Sequence, residues 1–310
     1  MTKRPFDLLD LVFLLRPTLF YPVWTFFLAG YWSVGRHATA SPSVGGPGVW
    51  IRLVPVTLVM GGVYILNQIQ DRETDLANGK LFLLAKGVVP LGAALTEAAI
   101  FMAVGLAFAF GLDRSYGLLL IVLLLLAGWL YNFRPFVWKD RPIPGLCTNA
   151  VGGGLVFLAG YWNADPMNAI PAETAAYGCA VAAAYLSTTL PDRVGDAQTG
   201  KRTFPVRYGT FPTVAWSLVF EIVAASVCLA CRHWLLFVPA ALALPFFIRA
   251  VVTRRIGDSV LATKLAILAL AAAVCVAVPL FLIPILGVFL LSKWYYRTRF
   301  ELDYPTLKRT

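Results

Sequence analysis

The sequence predicts an all-α protein whose helices form one polytopic membrane bundle, with about nine transmembrane helices in a single domain over residues 1–310. The first observation is composition: 59% of the 310 residues are apolar and 14% are charged, whereas ordinary soluble domains have about 45–50% apolar and about 25% charged residues. The second is that the apolar residues form runs of about 20, the length that a helix needs to cross a bilayer. The third is that these runs lack the alternation of barrel strands, and helices and closed barrels are the structures that satisfy their backbone in lipid.

The predicted spans follow one another along the chain with polar loops between them, and the loops of the outer side are short. They are 17–33, 50–66, 90–110, 116–132, 144–162, 171–190, 211–230, 234–252 and 260–292. The last run is too long for one straight helix, and Pro279 and Pro284 predict a kink or a short re-entrant end. The first run is a full span with no small-residue cleavage site after it, so we expect it to be retained and not removed as a signal peptide.

The basic residues predict the orientation of the bundle. With the N-terminus inside, the inner loops hold sixteen Lys and Arg residues and the outer loops four, so the positive-inside rule places the N-terminus in the cytoplasm of a cell membrane. The same rule accounts for the net charge of +10 without a nucleic-acid partner. The acid-rich loops 67–79 and 191–200 also fall on the inner side, where we expect the active site. The basic residues after residue 292 fit poorly, because nine spans would place them outside; they are Lys293, Arg297, Arg299, Lys308 and Arg309.

Carboxylates follow the second and sixth predicted spans. Asn67, Asp71 and Asp75 are four residues apart, so a continuous helix would present them on one face. Asp192 and Asp196 repeat this spacing. An Asp in the bilayer core costs about 2.5–3.5 kcal/mol on insertion scales, and like charges at this spacing repel, so the four carboxylates need a cation. Oxygen ligands in this number favour Mg²⁺, which binds through a few carboxylates plus substrate phosphates.

Basic residues lie beside both acidic motifs. Arg72 follows the first motif, and Arg193, Lys201 and Arg202 lie in or after the second. Because Lys and Arg bind phosphate oxygens, the combination of metal ligands and basic groups predicts a diphosphate site, with a lipid tail among the spans. The five cysteines lie in or beside apolar runs and are interpreted as packing residues. The two histidines are far apart in the sequence and predict no metal cluster.

Four motifs describe the chain more specifically. The first is N-x-x-x-D-x-x-x-D at residues 67–75, followed by Asn78 and by Leu-Ala-Lys-Gly at residues 84–87. The second is D-x-x-x-D at residues 192–196, followed by Gly-Lys-Arg-Thr at residues 200–203. The other two are Tyr-Asn-Phe-Arg-Pro at residues 131–135 with Lys139, and Arg16-Pro17 at the first span. Together the four motifs resemble those of the UbiA-type intramembrane aromatic prenyltransferases, the last two more loosely than the first two. The chain departs from the family pattern at Gln68 and Phe82, and Lys80 or Lys86 would have to supply the charge that members carry near Phe82.

The resemblance implies an Mg²⁺-dependent enzyme that transfers a prenyl group from a prenyl diphosphate to a membrane-associated acceptor, most often an aromatic ring of a quinone or lipid pathway. It implies that the ions are held by Asn67, Asp71, Asp75, Asp192 and Asp196, the four Asp being catalytic. It implies substrate binding by Arg16, Arg72, Tyr131, Lys139, Lys201 and Arg202. The prenyl C–O bond would ionise and the acceptor would attack the resulting allylic cation.

The residues leave three other functions open. Glu221 lies in the seventh span, and an ionisable group within a membrane is a candidate for a transport pathway. The chain shows no obvious internal repeat of the kind that many transporters have. A structural membrane subunit would leave the two acidic motifs unexplained. A family member with a non-aromatic acceptor is compatible with every motif, and the sequence predicts no oligomeric state.

Overall fold

The computed structural model describes residues 7–35, 46–77, 83–165 and 169–305, and within these ranges the regular secondary structure is helical with no strand. The α-helices in chain order are α1 Leu8–Leu14, α2 Phe20–Val34, α3 Pro47–Gln70, α4 Arg72–Ala77, α5 Leu91–Leu112, α6 Arg114–Leu123, α7 Pro142–Trp162, α8 Glu173–Thr189, α9 Arg193–Gln198, α10 Phe204–Tyr208, α11 Thr210–Ala230, α12 Trp234–Thr253, α13 Ile256–Ala277 and α14 Leu282–Phe300. A π-helical segment, Leu124–Leu130, continues α6. Short 3₁₀ turns occupy Pro17–Leu19, Trp138–Asp140 and Pro279–Phe281.

The chain is an integral, multi-pass membrane protein. Within the described residues, eight helical segments are long and apolar enough to cross a bilayer. They are Leu8–Val34, Gly48–Gln70, Leu91–Leu112, Pro142–Trp162, Thr210–Ala230, Trp234–Thr253, Ile256–Ala277 and Pro279–Phe300. The shorter apolar helix Arg114–Leu130 occupies the fourth predicted span, and α8 occupies the sixth.

The predicted run 260–292 consists of two helices, not one kinked span. The chain breaks between α13 and α14, where Pro279 begins a 3₁₀ turn. Along α14, the hydroxyl of Tyr21 donates to the carbonyl of Ile285 at 3.2 Å, and the Arg299 guanidinium pairs with Asp10 at 2.7 Å. Because the order of these contacts is reversed along the two segments, α14 runs antiparallel to the start of the chain.

This return places the end of α14 on the side of the bundle from which α1 starts. The helix therefore brings its basic residues Lys293, Arg297 and Arg299 to the side that holds most of the other Lys and Arg. The misfit in the predicted charge distribution disappears for these three residues. The further basic residues at the two termini lie outside the described residues; they are Lys3, Arg4, Lys308 and Arg309.

Helix packing forms two joined rings. Successive contacts connect α2, α7, α8, α11, α12 and α13, and α13 closes the ring on α2. A second set joins α2 to α3, α3 to α5, α5 to α6 and α6 to α7. The shared pair α2 and α7 packs closely at two glycines: a Cβ on Gly30 would lie 2.0 Å from the carbonyl oxygen of Phe157, and one on Gly160 would lie 1.8 Å from that of Phe27. Small residues at both positions permit this approach of the two backbones, as in many membrane bundles.

Candidate active site

A cavity of about 420 Å³ lies between α2, α3, the π-helical segment, α7 and α8. Its polar end is formed by the short helices α4 and α9, which contact each other, and by the turn Trp138–Asp140. Its apolar residues lie deeper among the long helices. They include Val23, Phe26, Met60, Val63, Leu123 and Val156.

The first acidic motif presents one face to this cavity. α3 ends at Gln70, but the helical hydrogen bonds continue, because the backbone N–H of Asp71 donates to Asn67 at 2.9 Å and that of Asp75 donates to Asp71 at 2.8 Å. The side chains of Asn67, Asp71 and Asp75 therefore all line the cavity. Glu73 is about 200° around the helix from Asp71, and it is exposed. The predicted helical face is thus confirmed.

The second acidic motif reaches the cavity from a separate short helix. α8 ends at Thr189, Pro191 follows, and α9 begins after Asp192. Asp192 and Asp196 both line the cavity. Asp196 is buried and its Oδ2 accepts a hydrogen bond from the Thr203 hydroxyl at 3.1 Å, so the Gly-Lys-Arg-Thr stretch folds back onto the motif that precedes it.

Two lysines converge on the first motif. The ammonium groups of Lys139 and Lys201 lie 2.8 Å and 2.6 Å from the same oxygen of Asp71, Oδ1. Lys201 also lies 3.7 Å from Asp140, and the backbone N–H of Arg202 donates to the carbonyl of Asp140 at 2.9 Å. These contacts join the loop after α9 to the turn that carries Lys139, so three loops distant in sequence form one polar end.

Asp71, Asp140, Lys139 and Lys201 form an ion-pair cluster in which opposite charges stabilise one another. Burial raises the pKa of Asp71, but the ammonium groups of Lys139 and Lys201 outweigh burial and hold that pKa below its ordinary value. Burial lowers the pKa of Lys201, but the carboxylates of Asp71 and Asp140 raise it more, so that this pKa lies above its ordinary value. Burial lowers the pKa of Lys139 despite its pairing with Asp71. Lys201 is therefore the more firmly protonated of the two cations.

Between the ion-pair cluster and the apolar part of the cavity, which we describe as below the cluster, hydrogen bonds between helices hold several polar side chains. The Asn67 amide donates to Asn132 at 3.0 Å, and the Asn132 amide donates to two carbonyls of the π-helical segment. The Asn149 amide donates to the Tyr131 hydroxyl at 3.3 Å. Tyr185 also lines the cavity. π-Helical turns are frequent at functional sites, and this one carries the chain directly into Tyr131.

The structure brings most of the predicted site residues together and leaves two apart. Asn67, the four aspartates, Arg16, Tyr131, Lys139 and Lys201 all line the cavity. Arg72 and Arg202 have exposed side chains and do not line it, although both adjoin residues that do. Adjacency in sequence therefore did not predict the direction of these two side chains.

The structure also shows where the residues that depart from the family pattern lie. Gln68 is 2% exposed, and its amide donates to the carbonyls of Leu14 at 2.7 Å and Tyr64 at 3.2 Å. It therefore fastens the end of α1 to α3 and turns away from the ion-pair cluster. Lys86 is exposed and does not line the cavity. The motif residues Asn78, Lys80 and Phe82 lie outside the described residues.

Sequence reasoning missed several cavity residues. Thr74, Asn149, Tyr185 and Thr189 line the cavity, yet no motif pointed to them. Asn149 had a usable signal, because an amide inside an apolar span requires a partner. Tyr185 had none, because aromatic residues are common throughout the spans.

The oxygen groups suit a hard divalent cation. Among the described residues, no three or more His, Cys, Asp or Glu side chains converge closely enough to hold one metal ion. Each acidic motif does offer two carboxylates at the same polar end. This fits Mg²⁺, which keeps several waters and completes its shell with substrate phosphates instead of an all-protein cage.

Glu221 does not belong to this site. It is 3% exposed within α11 and does not line the cavity. Cys228 lies near the end of the same helix, and Cys231 follows directly after its last residue. The buried His233 contacts Tyr177 through Nε2 at 3.1 Å, and the other histidine, His37, lies outside the described residues.

Comparison with known proteins gives a family and a fold. The sequence model of the UbiA prenyltransferase family matches residues 22–260. A UbiA homolog from Archaeoglobus fulgidus bound to DMAPP and Mg²⁺ is similar in structure, with 18% identity, a TM-score of 0.63, and coverage of 86% of this chain and 99% of that chain. The apo UbiA homolog from Aeropyrum pernix K1 has 18% identity, a TM-score of 0.64, and coverage of 83% and 96%. A digeranylgeranylglyceryl phosphate synthase has 16% identity, a TM-score of 0.62, and coverage of 86% and 98%. The sequence matches no curated protein.

Proposed function

The chain belongs to the UbiA prenyltransferase family, and within that family we propose that it transfers a prenyl group from a prenyl diphosphate to a membrane-associated acceptor with the help of Mg²⁺. One observation carries this proposal. Two acidic motifs and two lysines meet at the polar end of a cavity whose deeper walls are apolar. A polar end with metal ligands and cations suits a diphosphate, and apolar walls suit its prenyl tail.

We propose that Asn67, Asp71, Asp75, Asp192 and Asp196 hold Mg²⁺ with the diphosphate. All five line the cavity, and the homolog from A. fulgidus binds Mg²⁺ with DMAPP. Bound ions would neutralise charge that develops on the leaving diphosphate. Lys139, Lys201 and Arg16 would contact the same phosphate oxygens. Arg72 and Arg202 are left out of these contacts because their side chains are exposed.

Bond breaking would occur just below the ion-pair cluster. As the C–O bond of the prenyl diphosphate ionises, the electron pair goes to the diphosphate and a positive charge develops on the allylic carbons. Tyr131 and Tyr185 line the cavity below the lysines, and the faces of aromatic rings attract cations. The surrounding helices keep water from the cation. The acceptor then attacks the allylic carbon and releases a proton.

We further propose an aromatic acceptor of a quinone or lipid pathway and an N-terminus in the cytoplasm of a cell membrane. The distribution of basic residues supports the orientation, and the return of α14 extends it to Lys293, Arg297 and Arg299. A non-aromatic acceptor is the second candidate, because one similar structure is that of a digeranylgeranylglyceryl phosphate synthase.

The test is direct product analysis. Purified protein is incubated with labelled prenyl diphosphates, Mg²⁺ and a panel of aromatic and non-aromatic acceptors, and the organic extract is examined for prenylated products. We expect a product that depends on acceptor, metal and protein together. Failure of every donor and acceptor pair, with folded protein, would contradict the proposal.

A further inference from the structure

The residues that line the cavity form one row along each helix, and we call such a row a ladder. Each lining helix contributes side chains at helical spacing, polar near the ion-pair cluster and apolar farther in. On α7 the ladder is Asn149, Gly152 with Gly153, and Val156. At 1.5 Å per residue, Gly152 lies about 4.5 Å below Asn149 and Val156 about 10 Å below it. The ladder therefore gives a depth scale from the polar end to the apolar floor.

Gly152 begins a run of three glycines, and helix packing explains the other two. A Cβ on Gly153 would lie 2.4 Å from Val181 Cγ2, and one on Gly154 would lie 3.0 Å from the carbonyl oxygen of Thr174. Glycine suits these two positions because α8 is so close that a Cβ at residue 153 would overlap Val181 and one at residue 154 would crowd the Thr174 carbonyl. A Cβ on Gly152 would meet, among the described residues, Leu123 Cδ1 at the ordinary contact distance of 3.9 Å. Packing between helices therefore gives no reason for glycine at this position.

The space beside Gly152 is cavity. Gly152 and Leu123 both line it, so a side chain at residue 152 would project into the cavity between α7 and the helix opposite. It would stand below Asn149 and Tyr131, and above the floor formed by Phe26 and Val156. Such a side chain would separate the polar end from the floor.

We propose that Gly152 is a specificity-determining residue that admits prenyl chains longer than one isoprene unit. This inference rests on the proposed function, because it takes the occupant of the cavity to be a prenyl diphosphate with its head at the lysines. The first isoprene unit would then lie near Tyr131, and later units would pass Gly152 toward the floor. The missing side chain is what gives those later units their path.

The experiment measures binding, so that it needs no knowledge of the acceptor. Wild-type protein, Gly152→Leu and the matched control Gly111→Leu are purified, and dissociation constants are measured with Mg²⁺ for dimethylallyl, geranyl, farnesyl and geranylgeranyl diphosphate. Gly111 lies on α5 and is exposed, and no described atom lies within 4 Å of the position that a Cβ would take there, so its substitution adds the same leucine away from the cavity.

We expect Gly152→Leu to bind dimethylallyl diphosphate within about threefold of wild type and to lose at least tenfold for geranyl and longer chains. Gly111→Leu should match wild type for all of them. Gly152→Ala, whose added methyl fits without a clash, should show a smaller loss in the same order of chain lengths, and it decides the matter if the leucine variant does not fold.

Two results would overturn the inference, and one of them is distinguishable from failure of the proposed function. If wild type binds the diphosphates, but both Gly152 variants lose the same affinity for every chain length or lose no affinity, then Gly152 does not select chain length. If wild type itself binds no prenyl diphosphate, the proposed function fails and this inference fails with it.

Discussion

Asp71 and Lys201 are 130 positions apart in the chain and form an ion pair of 2.6 Å at the polar end of the cavity. The pair connects the residue at the end of α3 with the loop that follows the second acidic motif. Lys139 joins the same carboxylate oxygen at 2.8 Å. The two motifs of the sequence thus meet at one end of the cavity, and the role of each residue there can be tested one at a time.

Lys201→Ala should raise the apparent KM for the prenyl diphosphate at least tenfold. A hydrogen bond to a charged group contributes about 1.5–3 kcal/mol, and about 1.4 kcal/mol corresponds to a tenfold change in binding. Arg202→Ala and Arg255→Ala are the controls, because both side chains are exposed and basic. The measurement is the apparent KM of each of the three variants. An equal change of KM in all three would mean that the charge of Lys201 contributes to the orientation of the protein in the membrane and not to substrate binding.

Asp71→Ala should abolish measurable turnover, whereas Glu73→Ala should keep most of it. The two residues carry the same charge two positions apart, but Asp71 lines the cavity and Glu73 is exposed. General attraction of cations to an acidic segment would make the two substitutions equally harmful. Both variants are compared by initial rate after a size-exclusion profile has confirmed that they are folded.

Removal of divalent metal should stop the reaction, and added Mg²⁺ should restore it. The reason is that the cavity offers carboxylate and amide oxygens at its polar end, which favour hard cations. The measurement is turnover of metal-stripped protein in excess EDTA, followed by titration with Mg²⁺. Full turnover in EDTA would refute the metal assignment.

The two ends of the chain should report the same side of the membrane. A reporter fused after Thr310 should match one fused at the N-terminus, because α14 returns to Asp10. A reporter fused after Val278, at the end of α13, should report the opposite side. Paired fusions to reporters that are active on one side only give the answer, and a shared side for the Val278 and Thr310 fusions would exclude a crossing by α14.

The sequence predicted the parts of the site that follow from local geometry. The spacing of Asn67, Asp71 and Asp75 predicts a shared face because a helix has a fixed rotation per residue, and the structure has that face. The motifs did not predict Asn149 and Tyr185, because these residues lie on different helices and only the packing of those helices brings both to the cavity.

The turn between α13 and α14 was only partly visible in the sequence. Both helices are apolar, so hydropathy runs through the break without a signal. Pro279 starts the 3₁₀ turn, but Pro284 lies in the first turn of α14, where a proline is compatible with a helix because the backbone N–H there needs no helical partner. Two prolines that look alike in the sequence therefore have different consequences.

The contact between Asp10 and Arg299 has a consequence for biosynthesis. The two residues are 289 positions apart, and a ribosome adds about 5–20 residues per second, so Asp10 is made roughly 15–60 s before its partner. During that interval the buried carboxylate of the finished protein has neither Arg299 nor Tyr295, which donates to it at 2.5 Å. The contacts that hold α1 to α14 therefore form only after almost the whole segment between Asp10 and Arg299 has been made.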